Sequence, residues 1–246
     1  MNTYDHSFYA GMNSTASPSA SAVVPLVLDV VNIKNLVDVG CGNGSWLAVF
    51  KANGIDDIRG LDGAWIDESL LNIPTENFTR TDLEQPIRLD RKFDMAMSLE
   101  VAEHLSPERA AGFVEDLTLL SDVILFSAAI PGQGGTNHIN EQWPDYWAKF
   151  FSDHGYRPVD FIRMAVWDHP DVMWFYKQNL LMFASERGLE AQPALAQKAK
   201  SSAAVPHSLV CREIYERTLR ATMPGPGRWL KMGRKMVVRK LTGQQK

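Results

Sequence analysis

Val37-Asp38-Val39-Gly40-Cys41-Gly42-Asn43-Gly44-Ser45 reads as an apolar strand holding an acid, a turn of three alternating glycines and the start of a helix. Twenty-two residues beyond Gly40 stands Asp62, closing a second strand-like run, Ile58-Arg59-Gly60-Leu61-Asp62. Strand, glycine turn, helix and a second strand ending in an acid form the pattern of a nucleotide-type cofactor site. The glycines let the backbone approach a ligand where a Cβ would block it. The helix that begins near Ser45 turns unpaired N–H groups and a partial positive charge toward that ligand. Asp62 is placed to accept hydrogen bonds from two ribose hydroxyls.

The dinucleotide fingerprint needs a further glycine where this chain has Ser45, and an acid at Asp38 is unusual ahead of such a turn. A cofactor without a pyrophosphate, whose cationic end gains from a nearby carboxylate, fits better. The other reading of the turn is a tight strand-to-helix connection with no ligand. Asp-x-Gly-x-Gly-x-Gly followed by a second-strand acid resembles the class I S-adenosylmethionine (SAM)-dependent methyltransferases, and the resemblance covers roughly residues 19–184. It implies SAM as cofactor, bound by Asp38, Gly40, Gly42 and Gly44, with Asp62 on the ribose. It further implies Asp82 on the adenine amino group, a backbone N–H from Leu83, and Ser98 in the segment after the fourth strand. Asp82 also has a structural reading, capping a turn toward Pro86.

At 246 residues and 45% hydrophobic content, the chain can bury a full core as one large domain. The longest apolar stretch, from Ala22 to Val31, is interrupted by Pro25 and Asp29 and falls short of the ~18 residues of a membrane-spanning helix. The first residues carry no basic region ahead of an apolar one, and the two cysteines, Cys41 and Cys211, suggest neither a disulfide framework nor a zinc site. A cytoplasmic protein is expected. Residues 221–246 hold seven cations and no acid, leaving 18 cations against 29 acids, a net of −11, in residues 1–220. That balance argues against a nucleic-acid groove on the main domain. Between residues 228 and 241 cations alternate with Trp229, Leu230, Met232, Met236, Val237 and Leu241. Such a basic amphipathic helix suits a peripheral membrane surface or an acidic partner, and a solvated tail is its bland reading.

The pattern predicts strands at Leu36–Val39, Asp57–Asp62, Asn77–Thr81, Phe93–Ser98 and Asp122–Ala128, with helices at Ser45–Ala52, Glu108–Leu120 and Tyr146–His154. Arg157–Val166 and Val172–Ala184 read as two further strands with no helix between them, hence an antiparallel pair. The expected fold is α/β and Rossmann-like, a mostly parallel sheet with helices on both faces and a C-terminal antiparallel hairpin. Residues 1–21 read as an N-terminal arm, 22–185 as the catalytic domain, 186–206 as a linker and 207–246 as a basic helical tail.

The ends of the strands nominate the rest of the site. After the fourth comes Ser98-Leu99-Glu100-Val101-Ala102-Glu103-His104-Leu105, which resembles the acid–His segment of small-molecule and glycan methyltransferases. Methyl transfer from a sulfonium needs alignment of acceptor, methyl and sulfur, and removal of a proton from a hydroxyl acceptor. His104, His138 and Glu103 are the catalytic candidates, and a structural His104 capping the turn before Pro107 is the alternative. Glu100, Glu103 and His104 have i, i+3, i+4 spacing and, with His138, could gather round a divalent metal as in small-RNA 2′-O-methyltransferases. Acid–His pairs at this place are also common without metal, so the expected site holds none. The Gly-rich stretch 131–147 reads as an acceptor clamp, with Asn140, Glu141, Trp143 and Tyr146 facing a small-molecule or glycan acceptor. O-methylation of a sugar, glycan precursor or other small hydroxylated molecule is expected. The rivals are a metal-assisted RNA 2′-O-methyltransferase and a non-catalytic SAM-binding subunit.

Overall fold

The computed structural model describes residues 6–222, with side chains described for residues 16–220. A helix α1 (His6–Leu28) leads into β1 (Asn35–Val39), α2 (Ser45–Ala52), β2 (Asp57–Asp62) and β3 (Phe78–Arg80). Then follow β4 (Met95–Leu99), α3 (Ala110–Leu120), β5 (Val123–Ser127), α4 (Pro144–Asp153) and β6 (Tyr156–Val159). Two short helices, α5 (Ile162–Ala165) and α6 (Trp174–Asn179), precede β7 (Leu181–Ser185), and α7 (Glu186–Ala191) and α8 (Pro193–Ala199) complete this unit. The chain divides into two compact units, residues 1–209 and 210–246, and the second contributes α9 (Arg212–Thr222).

The seven strands lie in the order β3-β2-β1-β4-β5-β7-β6. The first five pair in parallel, and β7 runs antiparallel between β5 and β6. The expected Rossmann-like sheet with a closing antiparallel pair is therefore the observed one. Period-two alternation feeds two cores, one on each face. Met95, Met97, Leu125 and Met182 pack with Trp46, Leu47 and Phe50 of α2, while Val37, Val39, Phe126 and Phe183 pack with Phe113, Leu117, Trp147 and Phe151. The Phe151 and Phe183 rings stack at 4.0 Å.

Four expectations are corrected. α1 runs through the boundary at residue 21, where a polar arm was expected to end. The stretch Val172–Ala184 is not one strand: its first half is α6, and only Leu181–Ser185 joins the sheet. Likewise Arg157–Val166 gives a four-residue β6 and then α5. The expected linker 186–206 instead forms α7 and α8, with Leu195 and Ala199 buried and the Ala199 carbonyl accepting from Arg157 at 3.0 Å. The amphipathic stretch 228–241 lies outside the described residues. Among the described residues no helix is long and apolar enough to cross a membrane.

Candidate active site

The strand order reverses at β1, which has β2 on one side and β4 on the other, so a crevice opens beyond their carboxyl ends. A cavity of about 670 Å³ occupies that place, within the roughly 300–1,000 Å³ usual for small-molecule sites. Its floor is the glycine turn. The Gly40 and Cys41 N–H groups donate to the Leu61 carbonyl at 2.7 and 3.1 Å, binding the turn to β2. Asp62 closes the clamp: one carboxylate oxygen accepts from Gly42 N–H at 2.7 Å and the other from Gly63 N–H at 2.6 Å. The Trp65 side chain also donates to this carboxylate, which leaves one lone pair for a ribose hydroxyl. Gly40 sits at φ 84°, and a Cβ there would come within 2.3 Å of Val101 Cγ2.

Gly40, Gly42, Asp62, Asp82 and Leu83 all line the cavity. Asp82 also accepts from Glu84 N–H at 3.1 Å, so its turn-capping and lining roles coexist. Gly44 and Ser98 stand back from it. Gly44 is the entry to α2 at φ 78°, where a Cβ would meet Ile73 at 2.9 Å, so it serves packing. Ser98 is fully buried within β4 and its hydroxyl has no hydrogen-bond partner among the described residues; Leu99 and Glu100 line the wall in its stead. Asp38 is buried at the end of β1, and burial first, then the Asp62 charge, pushes its carboxyl well above the usual range. Burial raises Asp62 as well, against the lowering effect of the two glycine amides.

The cavity is also lined by His104 and His138, whose rings meet edge to face at 4.7 Å. Glu103 lies beside them, wholly buried, and neither carboxylate oxygen has a hydrogen-bond partner among the described residues. Burial, then the Glu100 charge, raises its carboxyl well above the usual range, while the nearby Glu103 and Ala129 amides favour the charge too weakly to offset this. Burial and His138 push His104 down to about 4, so it is neutral near pH 7. One donor atom each from Glu103, His104 and His138 lies within 4.8 Å of the other two.

Glu100 does not join this group. The helix that its spacing suggested is a single 3-10 turn, Ala102–His104, and Glu100 precedes it at φ 57°. Its carboxylate accepts from Gln133 at 2.6 Å and Asn179 at 3.0 Å instead. Asn137, at φ 59°, is the other non-glycine residue with left-handed backbone among the described residues, and both line the cavity. Strained backbone of this kind concentrates where a binding site is held in shape.

The acceptor loop is held through its own residues. The Ile139 and Asn140 N–H groups donate to the Glu103 carbonyl at 2.9 and 3.0 Å. Glu141 accepts from Gly132 and Gly134 N–H at 2.7 and 2.6 Å and pairs with His138 Nδ1 at 3.0 Å. Gly135 leaves room for that imidazole, since a Cβ would fall 2.2 Å from His138 Nε2. Glu141 is therefore a brace for His138 rather than an acceptor contact. Asn140 is buried and bonded to Gln142, Trp143 begins α4 with 40% exposure, and Tyr146 packs on Trp147 and Phe150. None of these four lines the cavity. The walls come instead from Trp65, Ile66, Thr136, Phe175 and Tyr176, with Ala16 of α1. Sequence reasoning missed them because they sit one or more residues past a strand end, or on elements remote in the chain.

The fold, the glycine clamp on Asp62 and the cavity together define a nucleoside-cofactor site of the SAM type. Residues 19–117, the stretch that carries the glycine turn, Asp62, Asp82 and the Glu103–His104 segment, match a family model described as a methyltransferase domain. No curated protein matches its sequence. In fold it is similar to DesVI of Streptomyces venezuelae, at 15% identity and a TM-score of 0.54 over 74% of this chain and 98% of that one. A SAM-bound amino pentose methyltransferase from Micromonospora echinaspora, CalS10, aligns at 14% identity and 0.54 over 75% and 98% of the two chains. An O-methyltransferase family protein from Burkholderia thailandensis aligns at 15% and 0.50 over 75% and 61%.

Proposed function

We propose that the protein transfers the SAM methyl group to a hydroxyl of a small polyhydroxylated acceptor, a sugar or glycan precursor. The observation that carries this is the Glu103–His104–His138 group, whose two imidazoles line the cavity and could remove a proton from a hydroxyl. When bound, SAM supplies an electrophilic methyl whose bond to sulfur breaks as the acceptor oxygen attacks. Asp62 and the glycine turn hold the nucleoside end, and Asp82 and Leu83 the adenine. The acceptor lies between Thr136–His138 and the apolar wall of Trp65 and Phe175, residues that all line the cavity, and its role there is to be held in line with methyl and sulfur. The net of −11 over residues 1–220 supports a small acceptor over a phosphate backbone. Cys41, a buried free thiol, fits a cytoplasmic setting.

Incubation of the protein with isotopically labelled methyl-SAM and a panel of sugars, sugar nucleotides, amino sugars and short RNAs tests this. Methylation at an oxygen of a sugar, seen by mass spectrometry, supports the reading. Transfer only to an amine or to RNA overturns it.

A further inference from the structure

We propose that Glu103, His104 and His138 form a site for a divalent first-row transition-metal ion, with the ion's remaining positions open to the acceptor. Three features converge. The three donors are clustered within 4.8 Å, and bond lengths of roughly 2.0–2.2 Å would ask each side chain to move by less than about 1 Å. Glu103 is fully buried, and among the described residues neither its two oxygens nor the buried His104 Nδ1 has a hydrogen-bond partner. Buried polar atoms are normally satisfied, and one cation would satisfy these together. The third feature is the support behind the ligands. His138 uses Nδ1 on Glu141, leaving Nε2 for a metal, and Glu141 is itself fixed by two glycine amides. A carboxylate behind a ligating imidazole orients it and raises its basicity. Loop and turn are tied together where Ile139 and Asn140 donate to the Glu103 carbonyl, so the ligand on the loop is held against the two on the turn.

Two imidazoles and one carboxylate suit manganese, iron(II), cobalt or zinc, whereas calcium and magnesium prefer oxygen alone. His104 and His138 reach the cavity, so an ion there faces the acceptor. This rests on the O-methylation reading and deepens it. A hydroxyl oxygen bound to the ion has a lowered pKa. Its proton leaves to water, the O–H electron pair stays on oxygen, and that oxygen attacks the methyl carbon while the C–S pair goes to sulfur.

The test is titration of the EDTA-stripped full chain with cobalt(II), followed by its visible absorption and by calorimetry, with zinc(II) as competitor. The expected result is one ion per chain, with affinity weakened at least roughly 10–100-fold in Glu103→Gln and in His138→Ala. S-adenosylhomocysteine binding measured on the same samples reports whether each variant is folded. The exposed variant Asp153→Asn should bind cobalt as the parent does. Absence of binding to the parent overturns the site, as does equal binding by folded Glu103→Gln. Turnover of a sugar that persists in EDTA also overturns it, and leaves O-methylation standing with His138, braced by Glu141, as direct base. Cobalt bound at the site without methylation of any hydroxyl overturns the function and spares the metal site.

Discussion

At the residue scale, Asp62 joins two jobs that its place in the sequence shows only as one. It is the ribose acid implied by resemblance, and its two oxygens also hold the Gly42 and Gly63 amides. Asp62→Asn would set a side-chain NH2 against a backbone N–H, so even this near-isosteric change should loosen the turn. S-adenosylhomocysteine affinity should fall by about 1.5–3 kcal/mol, read by calorimetry. His104 gives a pH signature. Its folded pKa of about 4 lies below the unfolded value of ~6.5, so the unfolded chain binds the extra proton in between. The stability this neutral imidazole contributes is whole above ~6.5 and is lost as pH falls toward 4, up to about 3 kcal/mol. Urea unfolding of the chelated protein at several pH values should show that His104→Gln flattens the dependence in this window. An unchanged slope would place the acid loss elsewhere.

At the scale of elements, α6 is the decisive departure from the pattern. Aromatic and apolar residues from Val172 to Ala184 have no clear period, and a short run of this kind suits either a strand or a buried helix. Tertiary partners settle it. Helical winding lets Tyr176 accept from Trp46 Nε1 at 3.2 Å, while Gln178 and Asn179 donate to Gln133 at 3.0 and 2.9 Å. Through Gln133 and Glu100 this network joins α6 to the end of β4 and the acceptor loop. It also extends outward: Arg163, fully buried in α5, donates to the Gln178 and His207 carbonyls at 3.0 and 2.8 Å and pairs with Asp160. Arg163→Met would strand the Asp160 carboxylate and two carbonyls, at a cost of about 3 kcal/mol. Asp160→Asn added to it should recover part of that loss in denaturant unfolding, and strict additivity would show the pair does not act together.

At the scale of the whole molecule, a cavity between two cores is a place where stability is given up for binding. Asp62 and part-buried Glu100 line it, Asp38 and Glu103 are buried close behind, and their raised carboxyls mark the desolvation cost. Ligands that bind only the folded chain should offset this. S-adenosylhomocysteine at a hundredfold excess over its Kd should add about 2.7 kcal/mol, a rise in Tm on the order of 5–10 °C by scanning fluorimetry. The sequence by itself determined the parallel sheet, the glycine turn and the acids at the ends of β1, β2 and β3, because each depends on neighbours within a few residues. It also marked Glu103, His104 and His138 as chemical candidates. Only the tertiary structure decided which of them meet. Glu100 turns away at φ 57° to bond Gln133 and Asn179, and Glu141 turns inward to brace His138. The cavity wall passes to Trp65, Phe175 and Tyr176. These choices depend on contacts between elements far apart in the chain, where local spacing carries no information about which side chains share a surface.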